Sequence, residues 1–181
     1  LDHEARPVRF NRLNRGEIAW QEAAGRRLER KSDNRMMLTE ADGRVWILAP
    51  VDQHQWLPLS VQDPMGHQWR FAYDQHRRLA RIDLSPDRAL EFGYTGASKH
   101  IDRIQLRQNE QAWVLVRYSY DAAGNLTSAT TADGTERYGY EGRQIVSRQL
   151  PCGYHFLFHW DGSGPDARCL RSHGEDGHFD F

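Results

Sequence analysis

The stretch Val116-Arg-Tyr-Ser-Tyr-Asp-Ala-Ala-Gly-Asn-Leu-Thr-Ser-Ala-Thr130 reads as a strand, a tight turn and a returning strand. Val116, Tyr118 and Tyr120 alternate with Arg117 and Ser119, which sets an aromatic face against a polar one. A period of two is the signature of a half-buried strand, and aromatic and β-branched side chains suit its pleated surface. Gly124 supplies the positive φ that a two-residue turn at Ala123-Gly124 requires, so the returning strand is expected from Asn125 and carries Leu126.

The pattern recurs on both sides of this hairpin. Trp69, Phe71 and Tyr73 alternate in the same way, and Tyr73-Asp74 is followed by Leu79 as Tyr120-Asp121 is followed by Leu126. Leu90, Phe92 and Tyr94 precede Thr95-Gly96, and Tyr138 and Tyr140 precede Glu141-Gly142 and the return Gln144-Ile145-Val146. Tyr154, Phe156, Phe158 and Trp160 precede Asp161-Gly162. The closing aromatics Tyr73, Tyr94, Tyr120, Tyr140 and Trp160 stand 21, 26, 20 and 20 residues apart. Recurrence at such a period marks a repeat architecture, in which each unit buries its face only against its neighbours. The copies are degenerate: Arg77 stands where the turn glycine belongs.

At these residues the chain resembles the YD-repeat proteins of the Rhs type, through Tyr120-Asp-Ala-Ala-Gly-Asn-Leu-Thr127 and through the tail Trp160-Asp-Gly-Ser-Gly-Pro-Asp-Ala-Arg-Cys-Leu-Arg-Ser-His-Gly-Glu-Asp-Gly177. The resemblance covers residues 39–181, and the first 38 only weakly. It implies a long β-sheet ribbon spiralling into a hollow shell. In many members that shell encloses a C-terminal toxin domain delivered to a competitor cell, often by type VI secretion.

Bulk properties set limits. The chain has 181 residues, 39% hydrophobic and 27% charged, with a mean hydropathy of −0.81. That is polar for a single domain, which at this size buries about 70% of its unfolded surface when compact, but natural for hairpins with one wet face. Twenty-four Lys and Arg against 25 Asp and Glu give a net charge of −1, which excludes the broad basic field that nonspecific nucleic-acid binding needs. No run of 18 apolar residues offers a membrane span. The chain starts at Leu1 and stops at Phe181 in mid-pattern, the expectation for a piece of a longer protein. Cys152 and Cys169 are expected to be reduced, partly buried thiols, with a disulfide as the alternative in an exported protein.

Residues 1–66 are read as an irregular hairpin segment leading into the repeats, and 67–181 as the YD-repeat sheet. In the first segment Ile18-Ala-Trp20 and Arg27-Leu28 flank Ala23-Ala-Gly25. A helix over 17–30 competes with a hairpin there, and Gly25 argues against it. Met36–Glu40 and Val45–Leu48 flank Asp42-Gly43, a hairpin signal. Val114-Leu-Val116, apolar on both sides of the pleat, points to a strand covered on both faces, and His178-Phe-Asp-Phe181 to a last strand. The fold class is all-β: repeated antiparallel hairpins forming a twisted, curving sheet.

Four candidate sites compete with structural readings. Asp63-Pro-Met-Gly66 shares its Asp-Pro and Gly with the self-cleavage site that many Rhs proteins carry, yet it leads into a repeat strand and reads as a turn with Pro at the second position. Cys152, His155, His159, Cys169, His173 and His178 supply zinc-type ligands. However, His155 and His159, on one strand face, are about 13 Å apart, and solvated or hydrogen-bonded histidines are the expectation. Asp74, Asp121, Arg78 and Arg143 beside the turns invite comparison with paired catalytic carboxylates, but an aspartate recurring with the repeat serves the turn by accepting its amides. The six tryptophans either line the sheet or form a stacking surface for glycans or a partner.

No catalytic or metal-ligating residue and no cofactor is therefore assigned. Tyr73, Asp74, Leu79, Tyr94, Gly96, Tyr118, Tyr120, Asp121, Gly124, Leu126, Tyr138, Tyr140, Gly142, Trp160, Asp161 and Gly162 are assigned to the repeat. The functional expectation is a structural section of a toxin-enclosing shell, made in the bacterial cytoplasm and secreted or delivered, with the parent's C-terminal toxin and secretion-spike proteins as partners. Sheet-edge self-association of the piece follows from it, and a glycan- or partner-binding module is the alternative.

Overall fold

A computed structural model describes residues 10–178 and Asp180. Among the described residues, alternating side chains and turn residues give fifteen strands whose order in the sheet is their order in the sequence, with registered neighbours antiparallel. The packing divides into two units, residues 1–90 and 91–181.

The first unit holds β1 (Ile18–Gln21), a 3-10 turn (Glu22–Ala24), β2 (Arg26–Arg30), β3 (Met36–Thr39), β4 (Val45–Pro50), β5 (Trp56–Gln62), β6 (Gln68–Tyr73) and β7 (Leu79–Ser85). Residues 17–30 form the expected hairpin rather than the competing helix, and Gly25 takes a left-handed φ of 59° after the 3-10 turn. Register lines Ala19, Leu28, Leu38, Trp46, Val61 and Trp69 up as one apolar row across six strands. Trp46 and Phe71 stack across it with centroids 6.0 Å apart. Cross-strand pairs of this kind are the unit of sheet stabilisation.

β8 (Arg88–Tyr94) carries the chain into the second unit, which continues with β9 (Ile101–Gln108), β10 (Gln111–Tyr120), β11 (Leu126–Thr131), β12 (Gly134–Glu141), β13 (Gln144–Gln149), β14 (His155–Trp160) and β15 (Cys169–Gly174). Along β10, Val116, Tyr118 and Tyr120 are half-buried while Arg117 and Ser119 are exposed, the alternation expected. Val114 and Leu115 are 42% and 43% exposed, so the double coverage expected of this strand is absent. Of the last expected strand, Phe179 and Phe181 lie outside the described residues, and His178 and Asp180 are not in a strand.

Within each unit the strands form a single layer. Among the described residues Leu13, Val61 and Ala89 are the buried apolar ones. The half-buried face has no second layer to cover it among the described residues.

Candidate functional site

The recurring feature is a clasp at the ends of β6, β10 and β14. Tyr120 ends β10 and sits opposite Leu126. A β-bulge between Ser119 and Tyr120 leaves Thr127 without an opposite residue. Bulges re-aim side chains, and here the phenol reaches back across the preceding strand to donate a 2.8 Å bond to the carbonyl of Ile101. His100 stacks on its ring at 4.6 Å.

Asp121 then builds the turn. Its Oδ1 accepts the amides of Ala123 and Asn125 at 2.9 and 2.8 Å, and its Oδ2 the Asn125 side-chain amide at 2.9 Å. The Asn125 side chain, followed by the Asn125 backbone amide, holds the Asp121 carboxyl below the usual carboxylate range. The loop has three residues, Ala122 to Gly124, closed by Gly124 N to Asp121 O and Asp121 N to Asn125 O. The expected two-residue turn is corrected, because the carboxylate gathers amides from one residue further on. Gly124, at φ 84°, takes the left-handed place beside the bulge, and a Cβ there would meet His100 at 2.8 Å. Asn125 also donates to the carbonyl of Gly142 at 3.1 Å, joining this turn to the next one on the same end.

The same parts recur. Tyr73 ends β6 opposite Leu79 after a bulge at Ala72, and donates to the carbonyl of Pro58 at 2.9 Å. Asp74 Oδ1 accepts the amides of His76 and Arg78, and Arg77 takes the left-handed position at φ 61°. Trp160 ends β14 opposite Cys169 after a bulge at His159, and its indole donates to the carbonyl of Ile145 at 2.7 Å. Asp161 closes the longer loop by accepting the amide of Arg168 at 2.7 Å. Tyr140 lies opposite Ile145 after a bulge at Gly139, with Gly142 at φ 63° in a two-residue loop. Tyr94 ends β8, followed by Gly96 at φ 55°. Tyr138 bonds Glu136, itself gripped by Arg148. Gly162 has neither a left-handed φ nor a crowding neighbour.

Asp63-Pro-Met-Gly66 is this turn again. Asp63 Oδ1 accepts the amides of Met65 and His67, and Gly66 is at φ 91°. Its carboxylate is fully engaged, with Oδ2 2.8 Å from His67 Nδ1. Asp74 is likewise ion-paired with Arg78 at 2.7 Å. Cys152 and Cys169 are free and exposed, which corrects the expected partial burial: Cys152 sits in the 150–154 turn between β13 and β14, and Cys169 starts β15, opposite the other end of β14. The long Asp161–Arg168 loop sets a register that brings His159 and His173 together at 2.9 Å. Among the described residues no three His, Cys, Asp or Glu side chains converge on a metal position. Trp20 and Trp69, 66% and 50% exposed, stand on β1 and β6 rather than side by side.

The clasp, the bulge and the three-residue turn at 116–130 fall where the RHS Repeat family matches, at residues 110–136 and 120–148. Over those residues the chain carries RHS repeats. The chain is 24% identical over 182 residues to the double-stranded DNA deaminase toxin A of Burkholderia cenocepacia (strain H111). The match covers 97% of the chain and 13% of that protein, so the chain spans about an eighth of its relative. Among solved structures it is similar to a chain of the Photorhabdus luminescens Tc holotoxin pore, with a TM-score of 0.56 and 15% identity over 86% of this chain and 9% of that one. A chain of the TcdB2-TccC3-Cdc42 crystal structure matches with the same TM-score and coverage at 16% identity. At those identities the likeness is one of fold.

Proposed function

We propose that this chain is a section of the wall of an Rhs shell that encloses a toxin carried C-terminally by the same parent protein. The shell is made in the cytoplasm, engages secretion-spike proteins and is delivered into competing bacteria by type VI secretion. The observation that carries the reading is the clasp: three strands, β6, β10 and β14, end in an aromatic pinned to the backbone of the strand before. Such a sheet extends by adding hairpins, and each strand is held by ladders on two sides. A one-layer wall with a half-buried face suits enclosure, because the contents and the rest of the shell cover what this section leaves open. The carboxylates of Asp63, Asp74 and Asp121 serve turns and ion pairs, which supports reading the section as a structural one.

The test is the intact mass of the parent protein, together with its native particle mass before and after denaturation. A C-terminal fragment that stays with the particle natively and separates only on denaturing is the expected result. A parent that remains one uncleaved polypeptide with no separable domain overturns enclosure and favours the binding-module reading.

A further inference from the structure

The last hairpin holds an arrangement that the wall does not use. Pairing of β14 with β15 sets Leu157 opposite His173 and His159 opposite Arg171, so the two histidines are diagonal neighbours. Their Nε2 atoms are 2.9 Å apart. The ring planes differ by 9° with centroids 5.1 Å apart. The centroid separation exceeds the nitrogen separation by about two ring radii, so the rings meet edge to edge through these nitrogens. His173 Nδ1 lies 2.8 Å from the carbonyl of Gly174. A carbonyl only accepts, so Nδ1 carries the proton and the His173 Nε2 lone pair is open to the N–H of His159. A ring nitrogen backed by a backbone carbonyl is how proteins orient imidazole for a metal ion.

We propose that His159 and His173 form a two-imidazole site for a borderline divalent transition metal ion, Zn²⁺ or Cu²⁺. Imidazole nitrogen suits both ions. At Zn–N distances of about 2.0–2.1 Å a tetrahedral ion spaces two nitrogens about 3.3 Å apart, so the nitrogens part by about half an ångström and the two rings, now in line, each tilt by about 35° toward the ion. The site is accessible, since His159 is exposed and His173 half-buried. No net proton is released: the His159 proton moves from Nε2 to Nδ1, and both Nε2 lone pairs bind the ion. Asp180 is gripped by both ends of the Arg171 guanidinium at 2.7 Å, so water fills the remaining positions. The bound ion ties β14 to β15 across the long 161–168 loop.

The experiment is calorimetric titration of the full, untagged chain with ZnCl₂ and with CuCl₂ at neutral pH, alongside melting with and without metal. One equivalent is expected to bind and to raise Tm, because a ligand that binds only the folded state stabilises it. His159→Gln and His173→Gln should each weaken binding by about tenfold or more, with folding checked by circular dichroism, while His155→Gln leaves it unchanged. Absence of binding at millimolar metal, or binding that neither variant alters, overturns the proposal.

Discussion

The phenol of Tyr120, the last residue of β10, donates a 2.8 Å hydrogen bond to the carbonyl of Ile101, the first residue of β9. The bond closes the open end of the β9–β10 pair, past its last paired residues Arg103 and Arg117, where backbone pairing runs out. Tyr120→Phe keeps the ring and loses only this bond, so it should cost about 1 kcal/mol. Trp160→Phe removes the indole donor to Ile145 and ring area as well, and should cost more. Urea unfolding midpoints check both. A Tyr120→Phe midpoint equal to that of the parent would show that the clasp is ornamental.

The left-handed third loop position separates Gly124 from Arg77. Gly124→Ala puts a Cβ at φ 84° and within 2.8 Å of His100, and should cost roughly 1–2 kcal/mol from the backbone conformation alone. Arg77 already bears that strain at φ 61°, so Arg77→Gly should be neutral or stabilising, relief of strain being offset by unfolded-chain entropy. Thermal melts of the two variants settle the contrast, and equal destabilisation by both would refute it.

The strands and the closing aromatics were legible in the sequence because alternation and turn residues are local. Tyr73 with Leu79 and Tyr120 with Leu126 proved to be directly opposed pairs. The loop length was misread, because Asp121 gathers amides beyond the turn glycine, a contact that composition does not encode. The carbonyl partners Pro58, Ile101 and Ile145 lie 15 to 19 residues from their donors and carry no side-chain mark. The meeting of His159 and His173 depends on the register set by a long loop. The exposure of Val114, Leu115 and both cysteines depends on a second layer that the pattern implied and this section does not hold.

Turn carboxylates and one phenol predict opposite pH limits. Asp121 is held below its usual range, first by the Asn125 side chain and then by the Asn125 backbone amide. The unfolded chain therefore binds the proton more readily, and this stability is complete above about pH 4 and is lost as pH falls through the folded value. Asp121→Asn keeps an acceptor for the turn amides but has no charge to lose, so its Tm should fall less steeply with acid. Tyr154 is the reverse case: its bond to Asp176 at 2.6 Å pushes the phenol up to about 12. Its stability is complete below about pH 10 and is lost as pH rises to about 12, and Tyr154→Phe should lack that alkaline slope. Parallel pH profiles for parent and variant would refute either assignment.

Among the described residues β1 pairs only with β2 and β15 only with β14, so each stands at an edge of the sheet. Bare edges template pairing with another chain. On β15 the bulge leaves Leu170 without an opposite residue and 66% exposed, an apolar side chain at that edge. The isolated chain should therefore associate as its concentration rises, read by sedimentation in the presence of reductant so that the exposed cysteines form no cross-link. Leu170→Lys should shift the equilibrium toward monomer, since edge charge opposes strand addition. A chain that sediments as monomer throughout would mean that these edges are already blunted.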